Sequence, residues 1–142
     1  MKSGPCFSSR LRGLLMARPT IDEVMLQVAN ALSRRGTCLK KQVGCVVVDS
    51  HGNIIGSGYN GQPRGQAHCD PIAPCFAYTD ATLSCSAIHA ETNALLRCHD
   101  MEAVYTVYVT EAPCYKCEML IRNTACRRIV WHDGNTKMEM WL

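Results

Sequence analysis

Residues 86–131, SAIHAETNALLRCHDMEAVYTVYVTEAPCYKCEMLIRNTACRRIVW, alternate between helical and extended character. A helix starts near Ser86 to His89 and runs to about Cys98, and a β-rich run covers Val104–Val109. A second helix runs from Cys114 to about Thr124 behind Pro113, whose missing N–H costs nothing at a helix start. A strand follows at Arg128–Trp131. Elements in this order cover a sheet with helices.

Upstream, Val43–Val48 is a β-rich run, followed by the turn Asp49-Ser50-His51-Gly52-Asn53 and a second strand near Ile54–Ser57, which together read as an antiparallel hairpin. Before it, Thr20 and Glu23 form a capping-box pattern. Ile21, Val24, Met25, Val28, Ala29 and Leu32 then fall at helical spacing, an apolar stripe that must pack on a sheet. One helix followed by β-β-α-β-α-β predicts an α/β fold with helices on both faces of one mixed sheet. Residues 59–85, rich in Gly, Pro and Cys, are too long for an idle connection, so something must order them.

The chain has 142 residues, enough for one domain with a real core, and no apolar run approaches the roughly 20 residues needed to cross a bilayer. Of its 15 basic residues, Lys2, Arg10, Arg12 and Arg18 fall in an acid-free leader, so residues 19–142 carry 11 basic against 12 acidic groups. Nothing there demands a nucleic-acid or membrane partner. The expected organisation is a flexible basic leader, 1–18, and one domain, 19–142. Ten cysteines without a long apolar secretory stretch, several at metal-ligand spacing, fit a reducing, cytoplasmic compartment better than a disulfide scaffold.

Two motifs carry the chemistry: His89-Ala90-Glu91 and Pro113-Cys114-Tyr115-Lys116-Cys117. A catalytic zinc keeps three protein ligands and leaves a fourth position to water, whose pKa falls to roughly 7 in favourable sites. His89, Cys114 and Cys117 supply three such ligands, and one imidazole with two thiolates balances the ion's charge. Cys114 and Cys117, three apart, share one face of a helix's first turn. Glu91 points to a different side of its helix and is left to carry protons. A lone C-x-x-C also reads as half of a structural zinc knuckle; the upstream H-x-E argues against that here.

H-x-E followed by P-C-x-x-C is the signature of zinc-dependent base deaminases. With Val43-Gly44-Cys45-Val46-Val47-Val48, Gly58-Tyr59-Asn60-Gly61, His89-Ala90-Glu91-Thr92-Asn93-Ala94 and Tyr108-Val109-Thr110, the chain resembles the deoxycytidylate (dCMP) deaminases of bacteria and phages over roughly residues 20–134. The resemblance implies a three-layer α/β/α sandwich and hydrolysis of dCMP to dUMP and ammonia, supplying dTMP synthesis. It implies that Glu91 is the proton carrier, that the backbone at Ala90 and Ala112 reads the pyrimidine edge, and that Asn60 binds the sugar. Gly58, Tyr59, Asn60 and Gly61 would contribute to an allosteric nucleotide site, with dCTP, accompanied by Mg2+, activating and dTTP inhibiting a homo-oligomer, a hexamer in the family. Cys38, Cys69, Cys75 and Cys85, with His68 as an alternative ligand, resemble an extra structural zinc site that would order the 59–85 loop. Family members continue past Trp131-His132-Asp133-Gly134 through another helix and often a strand. This chain stops at Leu142, which leaves the last strand open, with Met138, Met140, Trp141 and Leu142 covering the sheet edge or joining an oligomer contact.

Phosphate recognition falls to Arg34, Arg35, Lys40 or Lys41 near the first strand. Cys45, Cys98 and Cys126 read as small buried hydrophobes. Three other functions share parts of the pattern: a tRNA adenosine or other nucleic-acid deaminase, which needs a basic groove; a free-base or nucleoside deaminase; and a zinc-stabilised binding or assembly module without turnover, for which Glu91 beside an open metal position has no purpose.

Overall fold

Thr20 caps the first helix, α1 (Ile21–Ser33), in the reciprocal manner its sequence predicts. Its hydroxyl accepts from the Glu23 N–H at 3.2 Å, and the Glu23 carboxylate accepts from the Thr20 N–H at 2.6 Å. The computed structural model describes residues 17–69, 75 and 85–142. Most of the basic leader, with Cys6, lies outside the described residues.

The buried stripe of α1 is rotated from the expected one. Asp22, Met25, Leu26, Ala29 and Ser33 face inward, while Ile21 is 52% exposed. Asp22 turns the helix this way. Its carboxylate accepts hydrogen bonds from the Tyr108 hydroxyl at 2.8 Å, from both Arg128 Nη atoms at 2.9 and 2.6 Å, and from Lys137 Nζ at 2.9 Å. Burial alone would raise its pKa, but these partners hold the carboxyl well below the usual carboxylate range.

The strands are β1 (Gly44–Val48), β2 (Ile54–Tyr59), β3 (Thr106–Val109), β4 (Arg128–Asp133) and β5 (Thr136–Trp141), in the order β2-β1-β3-β4-β5. Only β3 and β4 pair in parallel. The β1–β2 hairpin forms as expected, with the Asp49 carboxylate accepting from the His51 and Asn53 N–H groups at 2.9 Å. Two further helices, α2 (Ala90–Leu96) and α3 (Tyr115–Arg122), complete the fold, and a short 3-10 turn at Met101–Ala103 leads into β3.

Alternation along the strands divides the core into two layers. Val46, Val48, Tyr108 and Val130 pack on Met25, Leu26 and Ala29 of α1. Cys45, Val47, Val107, Val109 and Ile129 pack on Ala90, Ala94 and Leu95 of α2 and Ile121 of α3. One helix therefore covers one face of the sheet and two cover the other, the expected α/β/α sandwich. Gly58 permits the close approach of β2 to α2: a Cβ there would stand 2.6 Å from the Ala94 nitrogen and 2.8 Å from the Ala90 oxygen. Cys45 and Cys126 are buried and Cys98 is half-buried.

The sheet does have a fifth strand, which corrects the expectation left open by the short C-terminus. It returns antiparallel to β4 through a two-residue turn, Gly134-Asn135, closed by the Asp133–Thr136 pair. Gly134 sits at φ +58°, a conformation glycine adopts without strain. Met138, Met140 and Trp141 cover the β4 edge as expected, and do so as this strand. Met140 packs on the α2–α3 layer, and the Arg128 guanidinium lies 5.5 Å from the Trp141 ring centre on the other. Among the described residues, no helix is long and apolar enough to cross a membrane.

Candidate active site

His89 and Cys114 occupy equivalent places, the extended N-cap positions of α2 and α3, and Cys117 follows in the first turn of α3. Neither cap side chain bonds its own helix, so both remain available to a ligand. His89 Nδ1 lies 3.5 Å from Cys114 Sγ and 3.4 Å from Cys117 Sγ, and all three atoms fall within 4.8 Å of one another. Donors bound to one tetrahedral zinc at ordinary Zn–N and Zn–S lengths stand about 3.5 Å apart. The donor set and its spacing fit that ion.

Two anchors hold the corner. Gly61 and Ile88 exchange both backbone hydrogen bonds, at 3.1 and 2.8 Å, immediately before His89, and Asn93 Nδ2 donates to the Tyr59 carbonyl at 2.9 Å. α3 is fixed by the buried Cys117 and Ile121. Glu91, in the first turn of α2, is only 4% exposed. Desolvation pushes its pKa up, while its own backbone, His89, Cys117 and Lys41 oppose the rise. Burial and the negative Glu91 also raise the Cys117 thiol. A buried carboxylate beside the buried Cys117 sulfur is costly without a cation, which is a second reason the site fits a divalent metal.

A family model of the cytidine and deoxycytidylate deaminase zinc-binding region matches residues 19–133. The chain belongs to this deaminase family. Deoxycytidylate deaminase of Mycobacterium phage D29 is 38% identical over 125 residues, covering 82% of this chain and 97% of the phage enzyme. The deoxycytidylate deaminase of Schizosaccharomyces pombe is 33% identical over 82% of this chain, which spans 38% of that longer protein. The dCMP deaminase of cyanophage S-TIM5, solved in complex with dCMP and dUMP, superposes with a TM-score of 0.64 at 25% identity, covering 82% of this chain and 83% of that one. The deaminase fold extends to a cytidine deaminase of Burkholderia pseudomallei, TM-score 0.56 at 14% identity.

Other residues singled out in this deaminase from sequence fall into different places. Ala90 is fully buried at the start of α2, and Ala112 is exposed between β3 and α3. The Asn60 side chain is 8% exposed and works on the protein itself: its oxygen accepts from the Val43 N–H at 2.8 Å and its amide donates to the Lys41 carbonyl at 2.7 Å. One amide hydrogen and one oxygen lone pair remain for a ligand. Of the Gly58–Gly61 turn, Gly58 packs on α2, Tyr59 lies 5.9 Å under the Arg35 guanidinium, and Gly61 joins Ile88.

Cys38, Cys69, Cys75 and Cys85 are free thiols, and His68 is exposed. Among the described residues, His89, Cys114 and Cys117 form the group close enough to share an ion, and the four loop cysteines do not converge in that way. The segments 70–74 and 76–84 between them lie outside the described residues.

Sequence reasoning missed an open cleft of about 520 Å³ lined by Thr110, Glu111 and Ala112 at the exit of β3 and by Trp131, His132, Asp133 and Gly134 at the exit of β4. No metal ligand lines it, yet Ala112 stands two residues before Cys114. The carboxyl ends of adjacent parallel strands are the usual ligand crevice of such sheets, and that rule would have pointed here. Also missed was an ion pair at its rim between Lys41 and Glu111.

Proposed function

We infer that this chain is a zinc-dependent deaminase that hydrolyses dCMP to dUMP and ammonia, within a domain spanning residues 19–142. The observation that carries the reading is the meeting of His89, Cys114 and Cys117 beside the buried Glu91 carboxylate, supported by the phage relative of nearly equal length. Zinc bound by the three residues would supply the Lewis acid that activates water and stabilises negative charge developing on the substrate.

Glu91 does the proton work. Its raised pKa brings a carboxyl group nearer to neutral pH, so it can accept a proton from the attacking water and return protons to the ring nitrogen and the departing amine. Ala90 begins α2, where N–H groups lack helical partners; with the backbone at Ala112 it would read the pyrimidine edge. The unused positions of the Asn60 amide would receive the sugar.

A second, structural zinc at Cys38, Cys69, Cys75 and Cys85, with His68 as the alternative ligand, would close the 59–85 loop. Effector binding of dCTP with Mg2+, or of dTTP, at Gly58–Gly61 would act on a homo-oligomer, a hexamer by family likeness, in the cytoplasm. Contact through the Gly61–Ile88 pair gives such an effector a short route to His89.

The test is ammonia release with product identification from zinc-loaded protein given dCMP, CMP, deoxycytidine, dCTP and an adenosine-bearing tRNA hairpin in parallel. Selective formation of dUMP is expected; turnover of the RNA alone, or of nothing, would overturn the reading.

A further inference from the structure

The chain leaves β2 at Tyr59 and enters α2 at Ala90, and between those points Gly61 and Ile88 form an antiparallel bridge that exchanges both backbone hydrogen bonds. In an antiparallel ladder the next pair to exchange hydrogen bonds lies two residues further along each strand, here Pro63 opposite Ser86. Proline has no N–H to give, so that rung cannot form in full. The backbone ladder stops at the bridge.

Gln62 supplies a substitute from its side chain. Its amide oxygen accepts from the Ser86 hydroxyl at 2.6 Å, closing the position where the backbone rung fails. Its own backbone is anchored, since the Gln62 N–H donates to Thr37 Oγ1 at 3.3 Å and the Thr37 N–H donates to the Asn60 carbonyl at 3.1 Å. Gly61 fits tightly against the same support: a Cβ there would stand 2.5 Å from Thr37 Oγ1. The other end of the Gln62 amide, Nε2, reaches towards Cys69 Sγ at 3.7 Å.

The consequence falls on His89, which follows Ile88 directly and caps α2 without a side-chain bond to its own helix. Its imidazole must meet two sulfurs at 3.5 and 3.4 Å, so a small change in the direction of entry displaces it from both. We propose that Gln62 is a positioning residue for His89: by holding Ser86 it extends the Gly61–Ile88 bridge past Pro63 and fixes the path along which the chain enters α2. The proposal rests on the deaminase reading above and names a residue that serves that site without touching substrate or metal. An exposed hydrogen bond adds little to overall stability, so the effect belongs to the placement of the imidazole.

The experiment compares zinc-loaded native protein with Gln62→Ala, Ser86→Ala and Gln62→Glu, reading turnover of dCMP, hydrogen exchange at the Ile88 amide and thermal unfolding. Gln62→Ala and Ser86→Ala should each lower kcat about tenfold with KM within about twofold, since misplaced catalytic groups cost rate rather than binding. Each should also speed Ile88 exchange severalfold while melting close to native. Gln62→Glu should recover most of the loss, because it keeps an acceptor for Ser86 and gives up only the donor to Cys69. Native kcat and Ile88 protection in Ser86→Ala would overturn the proposal. So would equal losses in Gln62→Glu and Gln62→Ala, which would make the Cys69 contact the operative one, or a loss of kcat matched by a large fall in melting temperature, which would mean general loosening. If native protein does not turn over dCMP, the deaminase reading fails separately. Chelator competition then decides on Gln62: zinc held about tenfold more weakly in Ser86→Ala upholds its role, the range expected when a support behind a metal ligand is lost, and unchanged affinity refutes it.

Discussion

Cys114 and Cys117 meet His89 within reach of one ion, whereas Cys38, Cys69, Cys75 and Cys85 do not gather. The difference lies in what each set is mounted on. His89, Cys114 and Cys117 stand at the starts of two helices whose inner faces pack on the sheet, so burial of Ala90, Ala94, Leu95 and Ile121 positions the ligands. Among the described residues, Cys38, Cys69, Cys75 and Cys85 lie outside any helix or strand, and a zinc there would contribute free energy to bringing them together.

The sharpest way to probe the catalytic corner is Glu91→Gln. It should retain zinc by elemental analysis and lose about 10²- to 10⁴-fold in kcat, the range of a lost general acid–base group. Native-like turnover would remove Glu91 from the reaction. The second test sets the corner against the loop. Native protein should hold two zinc ions per chain, and Cys117→Ser and Cys75→Ser one each, but only Cys75→Ser should lower the melting temperature markedly. One zinc per native chain would break the comparison by emptying the loop.

The catalytic corner rests on the sheet, and Asp22 helps to hold that sheet together. Asp22→Ala should destabilise the fold by about 2–4 kcal/mol in urea unfolding, because Arg128 and Lys137 lose a shared buried partner. The folded-state pKa of Asp22 is depressed, so its stabilisation is fully present above the unfolded value of about 4 and is lost as pH falls below it. Asp22→Asn should therefore flatten the acid limb of the stability profile, and an unchanged limb would contradict the network. The smallest effect belongs to the last turn: Gly134→Ala should cost about 1 kcal/mol, since alanine is strained at positive φ. A neutral result there would mean that β5 contributes little to the sheet.

How much was legible follows from range along the chain. The Thr20–Glu23 box, the H-x-E motif and the P-C-x-x-C motif are local, and each could be read because a few consecutive residues determine its geometry. The stripe of α1 was misread because its decisive residue is a carboxylate, buried for the sake of Arg128, 106 positions away. The fifth strand was missed although Gly134-Asn135 is a recognised two-residue hairpin signal, because likeness to longer relatives directed attention to a helix instead. Asn60 looked like a sugar ligand, and nothing near it in sequence indicates that its amide already bridges Lys41 and Val43.

By itself the sequence determined the family, the α/β class and the three candidate metal-binding side chains, since these depend on residue type and short spacing. Tertiary structure alone decided that those side chains converge to about 3.5 Å, that Glu91 is buried, and that Lys41 pairs with Glu111. Those outcomes depend on how the helices settle on the sheet, and packing is a sum over contacts between segments far apart in the chain.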